Sequence, residues 1–341
     1  MRVVSLIPSA TEILGHIGAD DLLVGRSHEC DAPARVLDRP ALTAARTRYD
    51  PDAGVDARAI DEGVRGALGS GDLGGAGLSL YALDTDALAA LKPDLIITQD
   101  MCSVCSIDAE TVRRACAALP SGPEVLMLNP ASVEDILDDV TRVARAVGRE
   151  RDGRRAAVAL AHRMDRAMEH VNPYDDGPVC GFMEWTDPVF CAGHWSVQLI
   201  ERAGARHPLN PTEPVPGSGA AVGPQQAQRL AGASIAVEPE DFEASAPEWL
   251  VVAPCGLTLD QADRAFSDMR ASAPWVEGLP AVRAGRVAIV DGNEMFNRPG
   301  PRVVEALEFL VGWLNGRPEL IPEGFPWRVA RGPGAAGAAG V

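Results

Sequence analysis

The run 152–171, DGRRAAVALAHRMDRAMEHV, constrains this chain more than any other stretch, because it holds no proline and one early glycine. Leu160, Met164, Met168 and Val171 recur at helical spacing, arginines fall largely between them, and Asn172-Pro173 ends the run. The pattern predicts one long helix. On either side, short apolar strand-like runs alternate with amphipathic helical ones, so this helix divides two α/β halves. The expected architecture is α/β with two lobes joined by a single long backbone helix. The expected boundaries are an N-terminal lobe over 1–148, the linking helix over 149–173, a C-terminal lobe over 174–328 and a disordered Gly/Ala tail over 329–341.

A chain of 341 residues is long enough for two domains and can bury roughly three-quarters of its unfolded surface without staples. Its 48 acidic against 31 basic side chains leave a net charge of −17, which excludes a nucleic-acid partner because phosphates would be repelled. No apolar run reaches the length of a membrane span, and strand-like residues 2–7 stand where a signal peptide would. The expected location is therefore cytoplasmic as written, and periplasmic or extracellular if a leader is missing from this sequence. Seven cysteines, an odd number, fit reduced thiols better than a disulfide framework. A monomer is expected.

Along the first half, RVVSLIP predicts a strand, and Ser9 with Glu12 three residues on has the pattern of a capping box at the next helix. LLVG is the second strand, followed by the polar loop 26–31 with His28 and Cys30. Residues 41–77 give no clear pattern. Asp84 predicts the cap of a short helix, LIIT a strand that runs into Gln99, VLML another strand, and Ser132 with Asp135 a helix closed by Gly148. In the second half, VCGFM is a strand delivering Glu184 and Trp185, and Cys191 to Trp195 leads into the helix SVQLIERAG. The proline- and glycine-rich stretch 207–223 reads as an ordered loop or flap. Strands over 249–253 and 286–290 and a closing amphipathic helix, VVEALEFLVGWL, complete the lobe.

Four features could carry chemistry. Cys102-x-x-Cys105 could be half a metal site, completed by His28 and Cys30 if their loops are neighbours, or simply packed cysteines. His194-Trp195 near Glu184-Trp185 gathers two tryptophans around polar groups in a chain with only 5% aromatic residues, which suits a flat ligand. The loop 293–300 carries Phe296 and Arg298, or is a tight turn fixed by Pro299. The acid excess is the fourth, and solubility alone would explain it. No Walker loop, GxSxG elbow or HExxH motif occurs, so no familiar catalytic signature marks an enzyme.

The segments RVVSLIPSATEIL, GRSHECD, SLYALD, PDLIITQDMCSVC, EWTDPVFCAGHW, VVAPCG and VDGNEMFNRPGPR, in this order, resemble the cobalamin-binding branch of the helical-backbone substrate-binding proteins, relatives of the vitamin B12-binding component of ABC importers. The resemblance runs from Arg2 to about Leu314. It implies two α/β lobes bridged by a rigid helix, with the ligand held in a cleft between the lobes. It also implies that Ser9, His28, Tyr81 and Gln99 edge the ligand from the first lobe, and Trp185, His194, Trp195, Phe296 and Arg298 from the second. Cobalamin or another corrinoid is the implied ligand and an ABC permease the implied partner. Tryptophan faces can cover a corrin while Gln, Ser, Tyr and Arg bond its amide arms, and neutral His194 could ligate cobalt. Two other readings stay open: a metal, haem or siderophore binder using His28, Cys30, Cys102, Cys105 or His194, and a cofactor-modifying enzyme with Glu184 and His194 as an acid/base pair.

Overall fold

The computed structural model describes residues 1–45, 56–69, 81–100, 109–172, 175–215 and 229–330. The calls on Cys102 and Cys105, and on the Gly/Ala tail from residue 331 on, lie outside these residues. The described residues fall into two compact units: the first runs to His162 without 56–58 and gains Pro299–Pro301, and the second holds 56–58, 163–298 and 302–330.

The first unit opens with β1 (Val3–Ser5), α1 (Pro8–His16) and β2 (Leu23–Arg26), then β3 (Thr43–Ala45), α2 (Ala57–Gly69), β4 (Tyr81–Leu83), α3 (Thr85–Leu91) and β5 (Leu95–Thr98). Helix α4 (Ala109–Ala118), β6 (Glu124–Met127), α5 (Val133–Ala146) and α6 (Glu150–Met168) follow. Strands β2-β1-β5-β6 form a parallel sheet, and β3 pairs with β4 antiparallel. Since β2 lies on one side of β1 and β5-β6 on the other, the strand order reverses between β1 and β5. The carboxyl ends of those two strands are where open α/β sheets take ligands. Val4, Leu6, Ile96, Leu88 and Val112 pack the core.

Two predicted caps are present here: Asp84 accepts from Ala87 N at 2.8 Å, and Ser132 with Asp135 forms a reciprocal capping box. The third is not. Helix α1 starts two residues earlier than the Ser9/Glu12 pattern implies, with Ile7 as N-cap and Pro8 in its first turn. Proline there has no N–H to satisfy and a backbone angle already suited to the helix, so the start needs no side-chain cap. Ser9 and Glu12 are instead buried within α1.

Helix α6 carries the chain from the first unit into the second. Gly153, Ala156, Leu160, Met164 and Ala167 form its buried stripe, spaced three, four, four and three residues apart. A Cβ at Gly153 would lie 2.2 Å from the Ala144 Cβ on α5, so only glycine permits that approach.

The second unit contains β7 (Cys180–Thr186), β8 (Val189–Cys191), α7 (His194–Arg202), β9 (Glu213–Pro214), β10 (Arg229–Leu230) and β11 (Ile235–Ala236). These are followed by α8 (Pro239–Ala244), β12 (Trp249–Val252), α9 (Leu259–Ser272), α10 (Pro280–Arg283), β13 (Val287–Val290), α11 (Val303–Leu314) and β14 (Trp327–Val329). Its sheet has the order β11-β8-β7-β12-β13-β14, with β7, β12 and β13 parallel and the outer strands antiparallel. One face packs on Phe242, Phe266 and Met269. Around α11, Phe309 stacks on Phe325 with centroids 4.5 Å apart, and Trp313 meets Trp249 edge-on at 4.7 Å. Thus most tryptophans of this aromatic-poor chain serve the core of one unit.

Candidate ligand-binding site

In the first unit the site residues gather around the ends of β1, β2 and β5. Ser27 follows β2, and its hydroxyl lies 2.9 Å from Thr43 Oγ1. The same Thr43 hydroxyl receives the His28 backbone N–H at 3.0 Å and sits 2.7 Å from His28 Nδ1. The other ring nitrogen of His28 is 3.1 Å from Glu29 Oε1, and Tyr81 meets the ring edge-on at 5.0 Å. His28 and Tyr81 are therefore brought together, both half-buried, with Nδ1 of the imidazole held by Thr43. Gln99 follows β5 half-buried, while Ser9 is 3% exposed. A Cβ at Gly300 would come within 3.4 Å of Ser9 Cα.

Cys30 takes no place beside His28's free edge. It is fully buried, with Sγ 3.0 Å from Thr11 Oγ1, and Thr11 in turn donates to Ser5 Oγ at 2.9 Å. This is a buried chain of small polar groups holding α1 to β1. Among the described residues, no group of three or more His, Cys, Asp or Glu side chains is arranged to hold a metal ion.

In the second unit, Glu184 and Trp185 are not at a strand end as the sequence suggested. Strand β7 continues through them and turns at Asp187-Pro188 into β8. The alternation of the hairpin puts Trp185 opposite Phe190. Its indole N–H is shared between the carbonyls of Asp187 at 3.1 Å and Ala57 at 3.2 Å, and Arg58 grips the Asp187 carboxylate with two 3.1 Å bonds. What Trp185 has left to offer is ring surface. Glu184 accepts from Ser234 Oγ at 2.6 Å.

His194 is the first residue of α7 rather than part of a loop before it, and its φ is +49°. Its backbone N–H donates to Gly232 O at 2.8 Å. Gly193 lies so close to that segment that a Cβ would meet Ser234 N at 2.2 Å. The imidazole is half-buried and stacks on Trp195 with centroids 5.8 Å apart and planes 19° apart. Burial holds its pKa below the ordinary histidine value, because the cation loses more hydration than the neutral ring. Nδ1 is enclosed with no hydrogen-bond partner.

Trp195 is 8% exposed and donates its indole N–H to the Phe296 carbonyl at 2.6 Å. Phe296 is 2% exposed, and its ring packs edge-on against Phe182 at 5.1 Å. A φ of +63° at Phe296 turns its carbonyl toward Trp195. Arg298 is 7% exposed.

The groups that hold these side chains carry only a local turn signal in the sequence. Asp291, after β13, accepts from the backbone N–H groups of Leu259, Asn293 and Glu294 at 2.9 to 3.0 Å, and burial raises its pKa against those bonds. Asn297 Nδ2 bridges the carbonyls of Ala253 and Gly292 at 3.1 and 2.8 Å. An Asp-Gly-Asn run after a strand is a turn signal that could have suggested this knot.

A family profile described as "Periplasmic binding protein" matches residues 3–294. The chain belongs to this family. Periplasmic binding proteins are substrate-binding proteins, and the two-lobe α/β fold agrees with that membership. Among solved structures, this periplasmic binding protein is similar to a periplasmic heme binding protein from Pseudomonas aeruginosa, with TM-score 0.63 and 17% identity over 92% of both chains. It is similar to the periplasmic heme-binding protein RhuT from Roseiflexus sp. RS-1, with TM-score 0.62 and 20% identity over 93% of this chain and 98% of that one. It is also similar to the periplasmic vitamin B12 binding protein BtuF of Vibrio cholerae, with TM-score 0.61 and 17% identity over 93% and 98%. At these identities the likeness is one of fold. Comparison with curated protein sequences finds no match. No helix among the described residues is long and apolar enough to cross a membrane.

Proposed function

We propose that this chain binds cobalamin or a related corrinoid, as the substrate-binding protein of a cobalamin uptake or scavenging system that works with an ABC permease. The observation that carries the reading is Trp185. Its only polar atom is spent on two main-chain carbonyls, so its half-buried ring is left to cover a broad apolar face. A corrin offers such a face, edged with amides, and the half-buried His28–Tyr81 pair and Gln99 are polar groups of the kind that bond amides. The seven sequence segments that resemble the cobalamin-binding branch support a corrin over other macrocycles.

Haem is the second reading, favoured by the heme-binding proteins among the similar folds. Calorimetric and visible-spectrum titrations with cyanocobalamin, cobinamide and hemin separate the two. Stoichiometric binding of either corrinoid, at micromolar Kd or tighter, with hemin at least about a hundredfold weaker, is the expected result; a hundredfold is about 2.7 kcal/mol. Tight hemin binding with neither corrinoid bound would transfer the scaffold to haem.

A further inference from the structure

Two of the four non-glycine residues with positive φ among the described residues, His194 at +49° and Phe296 at +63°, meet through one side chain, Trp195. Each such conformation costs on the order of 1–3 kcal/mol and persists only where the surroundings hold it. Here they do. Gly193 is wedged against the 232–234 backbone, the His194 N–H is bound to Gly232 O at 2.8 Å, and Trp195 is fastened to Phe296 O at 2.6 Å. The strain fixes the start of α7 and, with it, the imidazole lying flat on Trp195 at 5.8 Å.

Three of the other five histidines are placed differently. His28 Nδ1 lies 2.7 Å from Thr43 Oγ1 and its enclosed Nε2 faces the Glu29 carboxylate at 3.1 Å, while His207 is 1% exposed with Nδ1 bound to Cys180 O at 2.9 Å. His162 is exposed on the outer side of α6. His194 combines partial exposure with a rigid seat, and because Nδ1 is enclosed, Nε2 is the ring nitrogen a ligand could meet. A neutral imidazole of that kind is a good donor to a borderline transition metal, and the depressed pKa keeps its lone pair free at neutral pH.

We propose that His194 supplies an axial nitrogen to the cobalt of a bound corrinoid that lacks its own coordinated base. This rests on the corrinoid reading and deepens it: the residue selects for incomplete or base-off corrinoids. In the step itself, the imidazole lone pair forms the Co–N bond as a cobalt-bound water leaves, with no change in oxidation state. A corrinoid whose two axial positions are already filled gains nothing from it.

The test is electron paramagnetic resonance of cob(II)inamide bound to the full-length protein. Cobinamide has no nucleotide base, so an axial nitrogen must come from the protein. The expected spectrum shows each cobalt line split in three by one axial nitrogen, changing to two in protein labelled with 15N-histidine. The splitting disappears in His194→Ala and His194→Gln and survives in His162→Ala, whose histidine is exposed on α6. His194→Gln is expected to weaken cobinamide at least about tenfold, roughly 1.4 kcal/mol. Bound cob(II)inamide with no nitrogen splitting in the wild-type protein would overturn the His194 assignment and leave the corrinoid reading standing. Failure of every corrinoid to bind would overturn both.

Discussion

A single indole hydrogen bond holds the second unit's site together at the residue scale. Trp195→Phe keeps the stacked ring beside His194 but removes the donor to Phe296 O, leaving Ser196 Oγ, 3.4 Å away, as a poor substitute. Leaving a buried carbonyl short of its bond costs about 1–3 kcal/mol. The expected result is a loss of that size in chemical denaturation followed by the remaining tryptophans, together with weaker cobinamide binding. An unchanged denaturation midpoint would mean the latch holds nothing. The residues that anchor His28 were harder to find from the sequence than His28 itself. Thr43 falls in a stretch with no periodicity, and its role depends on β3 pairing with β4, a contact between segments far apart in the chain. Phe296 is a related case: a turn rich in polar residues suggests exposed side chains, but its ring is 2% exposed and packs on Phe182.

Elements were legible where a local rule governed them. Ser132 and Asp135 satisfy each other within one turn, and the apolar stripe of α6 repeats over several turns, so both could be seen in the sequence. Strand β14 could not: Trp327–Val329 is short, follows a proline-rich turn, and becomes a strand only by pairing with β13. Gly153 tests how far packing overrides propensity. In an exposed helix, Gly→Ala would gain about 1 kcal/mol. Here the new methyl would stand 2.2 Å from the Ala144 Cβ, so Gly153→Ala is expected to destabilise the first unit by about 1–3 kcal/mol. Gly153→Ala combined with Ala144→Gly should recover much of the loss, because the methyl has then only moved across the interface. A single Gly153→Ala as stable as wild type would show that α5 and α6 part without cost.

For the whole molecule, the two units carry buried titrating groups of opposite sign. On α5, Asp139 is 2% exposed with one carboxylate oxygen unpartnered, and burial raises its pKa to about 6 despite the Arg142 guanidinium beside it. Its folded pKa lies above the unfolded 3.8, so its contribution is full below that value and is lost as pH rises through about 6. The difference is worth on the order of 3 kcal/mol. In the second unit, burial holds His207 below the unfolded 6.5, so its contribution is present above 6.5 and is lost as pH falls through the folded value. Between about pH 7.5 and 5 the first unit should therefore gain stability while the second loses it. Each unit has its own core, so scanning calorimetry should resolve two transitions whose separation changes with pH. Asp139→Asn should flatten the pH dependence of one transition and His207→Asn that of the other. Transitions that shift in parallel in the wild-type protein, or a pH dependence that neither substitution changes, would show that these buried groups do not set the balance. In that case the net charge of −17, which weakens as acid groups protonate, would govern both units alike.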